Sequence, residues 1–158
     1  MLNPEKNIFK SGASVLVNPV NCLGIMEKGL PLRFKDAYPE MAEECSKACK
    51  KGLLKIGGCM VFPVKDGYVA NVVVKKHWKH PSQVEWVVNG VRNLRKELEK
   101  MGAESVAIPQ IGCGLGGLDW SVVRPLVVKE LDGAPFDIWL SGEVFLRDKD
   151  GIVHLQKR

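Results

Sequence analysis

The chain has no apolar run approaching the ~20 residues a membrane span needs. Its opening stretch, MLNPEKNIFK, lacks the long apolar core of a secretion signal. Both absences favour a cytoplasmic protein that makes no membrane contact. The five cysteines are odd in number and include no C-x-x-C pair. Neither a disulfide framework nor a zinc knuckle is indicated, and neither a metal nor a cofactor is expected. There is no internal repeat, low-complexity tract or linker, so the 158 residues are expected to form one domain, 1–158, and a monomer. The motif G-x-x-x-x-G-K-[ST] is also missing, which argues against a P-loop nucleotidase.

What the chain does have is positive charge and a run of alternating elements. Its 23 Lys and Arg against 18 Asp and Glu leave a net charge of +5. That favours an anionic partner, although a solvated lysine-rich surface would look the same. ASVLVNPVN (13–21) reads as a buried strand that runs into an asparagine-bearing turn. Residues 30–52 read as helical, interrupted near Pro39 and closed by Gly52. CMVFPV and YVANVVV flank KDG as a hairpin. Ser82 and Glu85 fit a capping box ahead of a helix whose Val84, Val87, Val88, Val91, Leu94 and Leu98 recur at helical spacing, with Gly102 placed to end it. SVAIPQI is a further strand, followed by a glycine loop. The next helix is expected to begin at Pro125, and FDIWLS is the last strand. This alternation predicts an α/β protein, a three-layer α/β/α sandwich on a mixed, largely parallel sheet. Ligands bind such sheets at the carboxyl ends of the strands.

Two loops lie at such ends. PQIGCGLGGLDW (109–120) follows a strand and precedes a helix. Its bare backbone would let N–H groups approach an anion closely, beside the favourable partial charge of a helix N-terminus. Gly112, Gly114 and Gly117 satisfy G-x-G-x-x-G, but the acidic residue at the expected distance, Asp132, precedes a strand instead of ending one, so a dinucleotide-binding reading fits poorly. The second loop, VNPVNCLGIMEKGLPLRF (17–34), follows another strand and carries Asn18, Asn21, Gly24 and Gly29. Two such loops can grip a diphosphate from both sides.

On these two loops and the order of elements, the chain resembles the macrodomain family of ADP-ribose-binding proteins, over roughly Asn7 to Ser141. The resemblance implies ligand contacts from Asn7 and Ile8; from Cys22, Gly24, Ile25, Met26, Lys28 and Gly29; from Pro109, Gln110, Ile111, Gly112, Cys113, Gly114, Leu115 and Gly116; and from Trp139, which matches an aromatic near the adenine. VKKHWKH (74–80) resembles the T-K-x-H-W segment of DarG-type antitoxin macrodomains, which remove ADP-ribose placed on thymidine in DNA by DarT toxins. A related human terminal ADP-ribose protein glycohydrolase uses a lysine at the same position. The resemblance thus implies Lys75 as nucleophile and Asn21 as a residue that orients the ribose. Lys76, His77, Trp78 and Lys79 would form a DNA-binding rim. ADP-ribose or ADP-ribosylated DNA and a cognate DarT-type toxin are the implied partners. The amine would need a lowered pKa, which the crowd of cationic neighbours and burial would supply. Two positions depart from the pattern. Glu27 stands where the antitoxins carry glycine, and Gly116 stands where the human relative carries aspartate. The loops alone fit other macrodomain activities as well: an ADP-ribose 1″-phosphate phosphatase, a protein or O-acetyl-ADP-ribose hydrolase, or a reader without catalysis.

Overall fold

A computed structural model describes residues 1–156. The centre of the sheet is parallel because its strands are apolar on both faces and each is joined to the next by helix. The strands are β1 (Val15–Asn21), β2 (Cys59–Val64), β3 (Gly67–Lys75), β4 (Ser105–Ile108), β5 (Asp137–Leu140) and β6 (Glu143–Phe145), in the spatial order β2-β3-β1-β4-β5-β6. β3, β1, β4 and β5 run parallel, while β2 and β6 pair antiparallel at the edges. The β2–β3 hairpin turns at Lys65–Asp66, as the KDG signal implies.

Alternation along each strand feeds two cores. Val15 and Val17 of β1, with Ala70, Val72 and Val74 of β3, pack toward α3 (Val84–Met101) and α4 (Trp120–Leu131). Leu16 and Val20, with Val69 and Val73, pack toward α1 (Gly29–Ala37) and α2 (Pro39–Lys50). This is the expected three-layer sandwich. α3 buries Val87, Val91, Leu94 and Leu98 and ends at Gly102 as read. Tyr38 and Pro39 divide α1 from α2.

Two helix starts differ from expectation. No capping box forms at α3. Its N-cap is Gln83, and the Ser82 hydroxyl donates instead to the Val74 carbonyl, tying the helix entry to the end of β3. α4 begins at Trp120, capped by Asp119, whose carboxylate accepts from the Ser121 backbone N–H at 2.9 Å. Pro125 lies inside the helix, on its exposed side, where water can satisfy the carbonyl that proline leaves without a donor. A short 3-10 turn at Ile8–Lys10 and the edge strand β6 complete the fold.

Candidate active site

β1 and β3 end side by side, and that pairing builds the floor of the site. The register skips one residue between Val20 and Asn21, a bulge that brings Asn21 level with Lys75. The Cys22 N–H donates to the Lys75 carbonyl at 2.9 Å, which fixes the start of the first loop against β3. Above this floor opens a cavity of about 670 Å³. Its walls come from the first loop and the opening turn of α1 on one side, and from the glycine loop on the other.

The first loop is held by side chains. The Asn21 Oδ1 accepts from the N–H groups of Leu23 (3.0 Å) and Ile25 (3.2 Å), and its Nδ2 donates to the Ile25 carbonyl at 3.0 Å. Met26 is buried in the core with its sulfur 3.7 Å from the Asn18 amide. Gly24 packs against α2 with φ at +68°, and a Cβ there would lie 2.7 Å from the Ser46 Cα. Lys28 precedes α1 and offers its first turn no side-chain cap, and the N–H groups of Gly29 and Leu30, which line the cavity, have no acceptor among the described residues.

The glycine loop is held by its own backbone. Leu118 N–H donates to the Gly112 carbonyl at 3.0 Å, and Ser82 N–H donates to the Gly116 carbonyl at 2.8 Å. The N–H groups of Gly112, Gly114, Leu115 and Gly116 donate to nothing among the described residues, and all four residues line the cavity. A Cβ on Gly116 would collide with the Gly112 carbonyl oxygen and lie 2.7 Å from its carbon. The aspartate of the human relative therefore has no room in this loop. Four unpaired amides in a concave turn form an anion cradle.

Lys75 joins the two halves. Its side chain is buried, and its Nζ donates to the carbonyls of Trp78 (3.0 Å) and Leu115 (3.1 Å). Desolvation by burial pushes its pKa below the ordinary lysine value; the neighbouring cations expected to help make no contribution. A neutral amine has two N–H groups. In that form the two carbonyls would take both and leave the lone pair over.

Glu27 lines the same cavity but is exposed and paired with Lys35 at 3.0 Å, which removes its charge from the anion cradle. It is the one carboxylate of the lining among the described residues. Asp119, the nearest acid after the glycine loop, is spent on capping α4. Burial pushes the Cys113 thiol up to about 11 and also raises that of Cys22, which favours the protonated form of both loop cysteines.

At the mouth stands Trp78, 39% exposed. Lys28 and Lys79 lie over its ring, at 5.6 and 5.1 Å from the centroid, and the His77 ring stacks on it at 5.5 Å. Lys76 turns away, over Trp86. A smaller hollow of about 350 Å³ lies across Leu30, which lines both spaces. Ile8, Pro109, Gln110 and Trp139 line it. Trp139 is otherwise core, with Nε1 donating to the Glu5 carbonyl at 2.9 Å.

Of the residues named from the sequence, Asn21, Ile25, Lys28, Gly29, Lys75, Trp78, Lys79, Gly112, Gly114, Leu115 and Gly116 come together around the large cavity. Asn7, Cys22, Gly24, Met26, Ile111, Cys113, Lys76 and His77 line neither space. Asn7 caps the 3-10 turn, with Oδ1 accepting from Phe9 N–H at 3.0 Å, and Ile111 is core. Sequence reasoning missed Arg33 and Lys6 in the smaller hollow. Arg33 lies three residues after Leu30 on α1, so helical spacing would have put both on one face. Among the described residues no cluster of His, Cys, Asp or Glu could hold a metal ion, and no helix is long and apolar enough to cross a membrane.

The fold and the site together define a class: an α/β sandwich with a cavity between two loops at the carboxyl ends of its central strands, one of them a cradle of unpaired amides. The chain belongs to the macro domain family, whose model matches residues 17–127. It is 38% identical over 133 residues to a DNA ADP-ribosyl glycohydrolase of Mycobacterium tuberculosis, an alignment that takes in 82% of this chain and 38% of that protein. A Thermus aquaticus protein of the same name is 34% identical over 139 residues, 85% of this chain and 39% of its own length. The chain thus spans under two fifths of these curated relatives. The solved macrodomain of Mycobacterium tuberculosis DarG superposes with a TM-score of 0.81 at 35% identity, covering 88% of this chain and 95% of that one.

Proposed function

We propose that this macrodomain binds ADP-ribose and hydrolyses it from modified DNA, with a thymidine base as the linked position. The observation that carries this is Lys75: a buried amine of lowered pKa, beside Asn21, held by one carbonyl from the glycine loop and one from the basic turn. Further support comes from the relatives named DNA ADP-ribosyl glycohydrolase. A solved structure described as Thermosipho africanus DarTG in complex with ADP-ribose adds to it; that chain is 32% identical, with a TM-score of 0.76, and the match covers 85% of this chain and 39% of that one.

In this proposal the diphosphate rests on the free amides of Gly112 to Gly116, and the distal ribose sits over Lys75. The Nζ lone pair attacks the anomeric carbon, and the bond to the base nitrogen breaks. The proton shed by the alkylated nitrogen passes to the departing base. Water then cleaves the lysyl–ribose bond, which releases ADP-ribose and restores the amine. Asn21 acts by holding the first loop in place at the ribose. Trp78 and its flanking lysines receive the strand, one by stacking and the others by phosphate attraction. The whole protein's partner in this proposal is a DarT-type toxin, in keeping with a Thermosipho africanus relative named as a transferase–glycohydrolase fusion protein, 33% identical over 146 residues.

A reader without catalysis is the competing proposal, favoured by Glu27 being paired with Lys35 and so unavailable as an acid. The test is incubation with ADP-ribosylated oligonucleotide, ADP-ribosylated protein and ADP-ribose 1″-phosphate side by side. Release of ADP-ribose from the oligonucleotide supports the proposal. Release only from one of the others assigns a different substrate, and binding with no release identifies a reader.

A further inference from the structure

The smaller hollow is unusual in its charge. Lys6 and Arg33 line it, together with the exposed Gln110 side chain and Ser141, and no carboxylate does so among the described residues. Neither cation takes part in an ion pair among the described residues. Arg33 is oriented without being neutralised: its Nη2 donates to the Asn7 Oδ1 at 3.2 Å, and its guanidinium lies 4.9 Å from the Phe9 ring centroid. Asparagine at position 7 matters here, because an aspartate would pair with Arg33 and cancel its charge. Ser141 holds φ at +49°, the one non-glycine residue with positive φ among the described residues, and Gly142 follows it. The two residues form the tight turn between antiparallel β5 and β6, and positive φ at both positions is what such a hairpin turn requires. The Ser141 N–H is used by the Ile108 carbonyl at 2.8 Å, while its hydroxyl donates to nothing among the described residues.

Four donor-bearing residues, two of them cationic, therefore line a space that offers no carboxylate among the described residues. It lies across Leu30 from the cavity proposed for the diphosphate and distal ribose, so this inference rests on that reading: the adenosine end of ADP-ribose would extend into it. We propose that this end of the site accepts an additional phosphate carried on the adenosine ribose or one ribose beyond it, and that Lys6 and Arg33 determine the preference. An arginine beside the adenosine ribose is how dinucleotide sites in general admit a 2′-phosphate, and its planar fork suits phosphate geometry. The ligand class is a nucleoside diphosphate sugar with further phosphate at its adenosine end. The source is either a 2′-phosphate monoester or the next unit of an ADP-ribose chain.

Calorimetry with ADP-ribose, 2′-phospho-ADP-ribose and a dimer of ADP-ribose joined through the adenosine ribose tests this. The monoester is expected to bind about tenfold tighter than ADP-ribose, an effect the size of roughly one charge-assisted hydrogen bond. That advantage should vanish in Lys6→Ala/Arg33→Ala and shrink in Lys6→Ala alone, which leaves the Arg33 contacts to Asn7 and Phe9 in place. Tightening by the dimer and not the monoester would identify the chain as the source. If ADP-ribose binds but neither phosphorylated ligand binds tighter, the inference is overturned and the functional reading stands. If ADP-ribose itself does not bind, the functional reading fails and this inference falls with it.

Discussion

The two loops that enclose the cavity are built on opposite plans. The first is tied down by side chains: the Asn21 amide spans Leu23 to Ile25, Met26 is sunk in the core, and Gly24 is pressed against α2. The second is shaped by having few side chains at all. Its glycines fold the backbone on itself and leave four amides without a protein acceptor among the described residues. A loop anchored by side chains gives a fixed wall. A loop of bare backbone gives donors. Lys75 touches both halves of the strand-end floor, through Asn21 in register and through the Leu115 carbonyl. The two plans predict that damage to the first loop costs stability as well as function, whereas filling the open face of the second at Gly114 costs binding alone.

The largest effect is expected at Gly116. Gly116→Ala forces its methyl group onto the Gly112 carbonyl, spreads the loop and should weaken ADP-ribose binding by about a hundredfold or more, since several charge-assisted bonds to the diphosphate are lost together. Gly114 provides the control: a Cβ there meets nothing within 4 Å. Gly114→Ala should bind nearly as wild type, while Gly114→Phe should fill the cavity without lowering the melting temperature. Calorimetry and thermal melting on the three variants separate loop shape from loop occupancy.

Next comes the first loop. Met26→Ala should cost about 2–5 kcal/mol of stability as a buried truncation, measured by urea unfolding. Asn21→Ala leaves the loop N–H groups of Leu23 and Ile25 without their acceptor and should cost about 1–3 kcal/mol, with slower release of ADP-ribose. Were both changes neutral to stability yet lethal to binding, the anchoring role would be wrong and these residues would be ligand contacts.

That distinction bears on how much the sequence could tell. The alternating elements and both loops were legible, because hydrophobic period and glycine spacing are local signals. The direction of a side chain was not. Met26 and Ile111 sit among candidate ligand residues in the chain, yet both are buried in the core. Ser82 and Glu85 had capping-box spacing, but the Val74 carbonyl, distant in sequence, captured the Ser82 hydroxyl. Pro125 looked like a helix start because proline suits a first turn; the helix starts at Trp120, capped by Asp119. Lys75 was legible as a candidate. Its lowered pKa was expected from burial and cationic neighbours together; burial is the cause the fold supplies.

The rim should give a smaller, graded effect. Replacing Lys79 by Ala removes one phosphate attraction beside Trp78 and should lower the slope of log affinity against log salt by about 1, equally for all DNA sequences. Lys76→Ala, whose side chain turns to Trp86, should change it less. The smallest effect is expected at the exposed Glu27–Lys35 pair: Lys35→Ala should alter stability by less than ~1 kcal/mol.

Because burial lowers the Lys75 pKa, release of ADP-ribose should rise with pH as the amine loses its proton, with a midpoint below the ordinary lysine value. The most direct test is Lys75→Arg assayed on ADP-ribosylated oligonucleotide, with ADP-ribose affinity measured on the same preparation. Arginine keeps the charge and can reach the same carbonyls but supplies no free amine. Release should be abolished, as in Lys75→Ala, while ADP-ribose binding stays largely intact. Turnover by Lys75→Arg near that of the unaltered chain would contradict a nucleophilic Lys75 and leave it as the tie between the glycine loop and the basic turn.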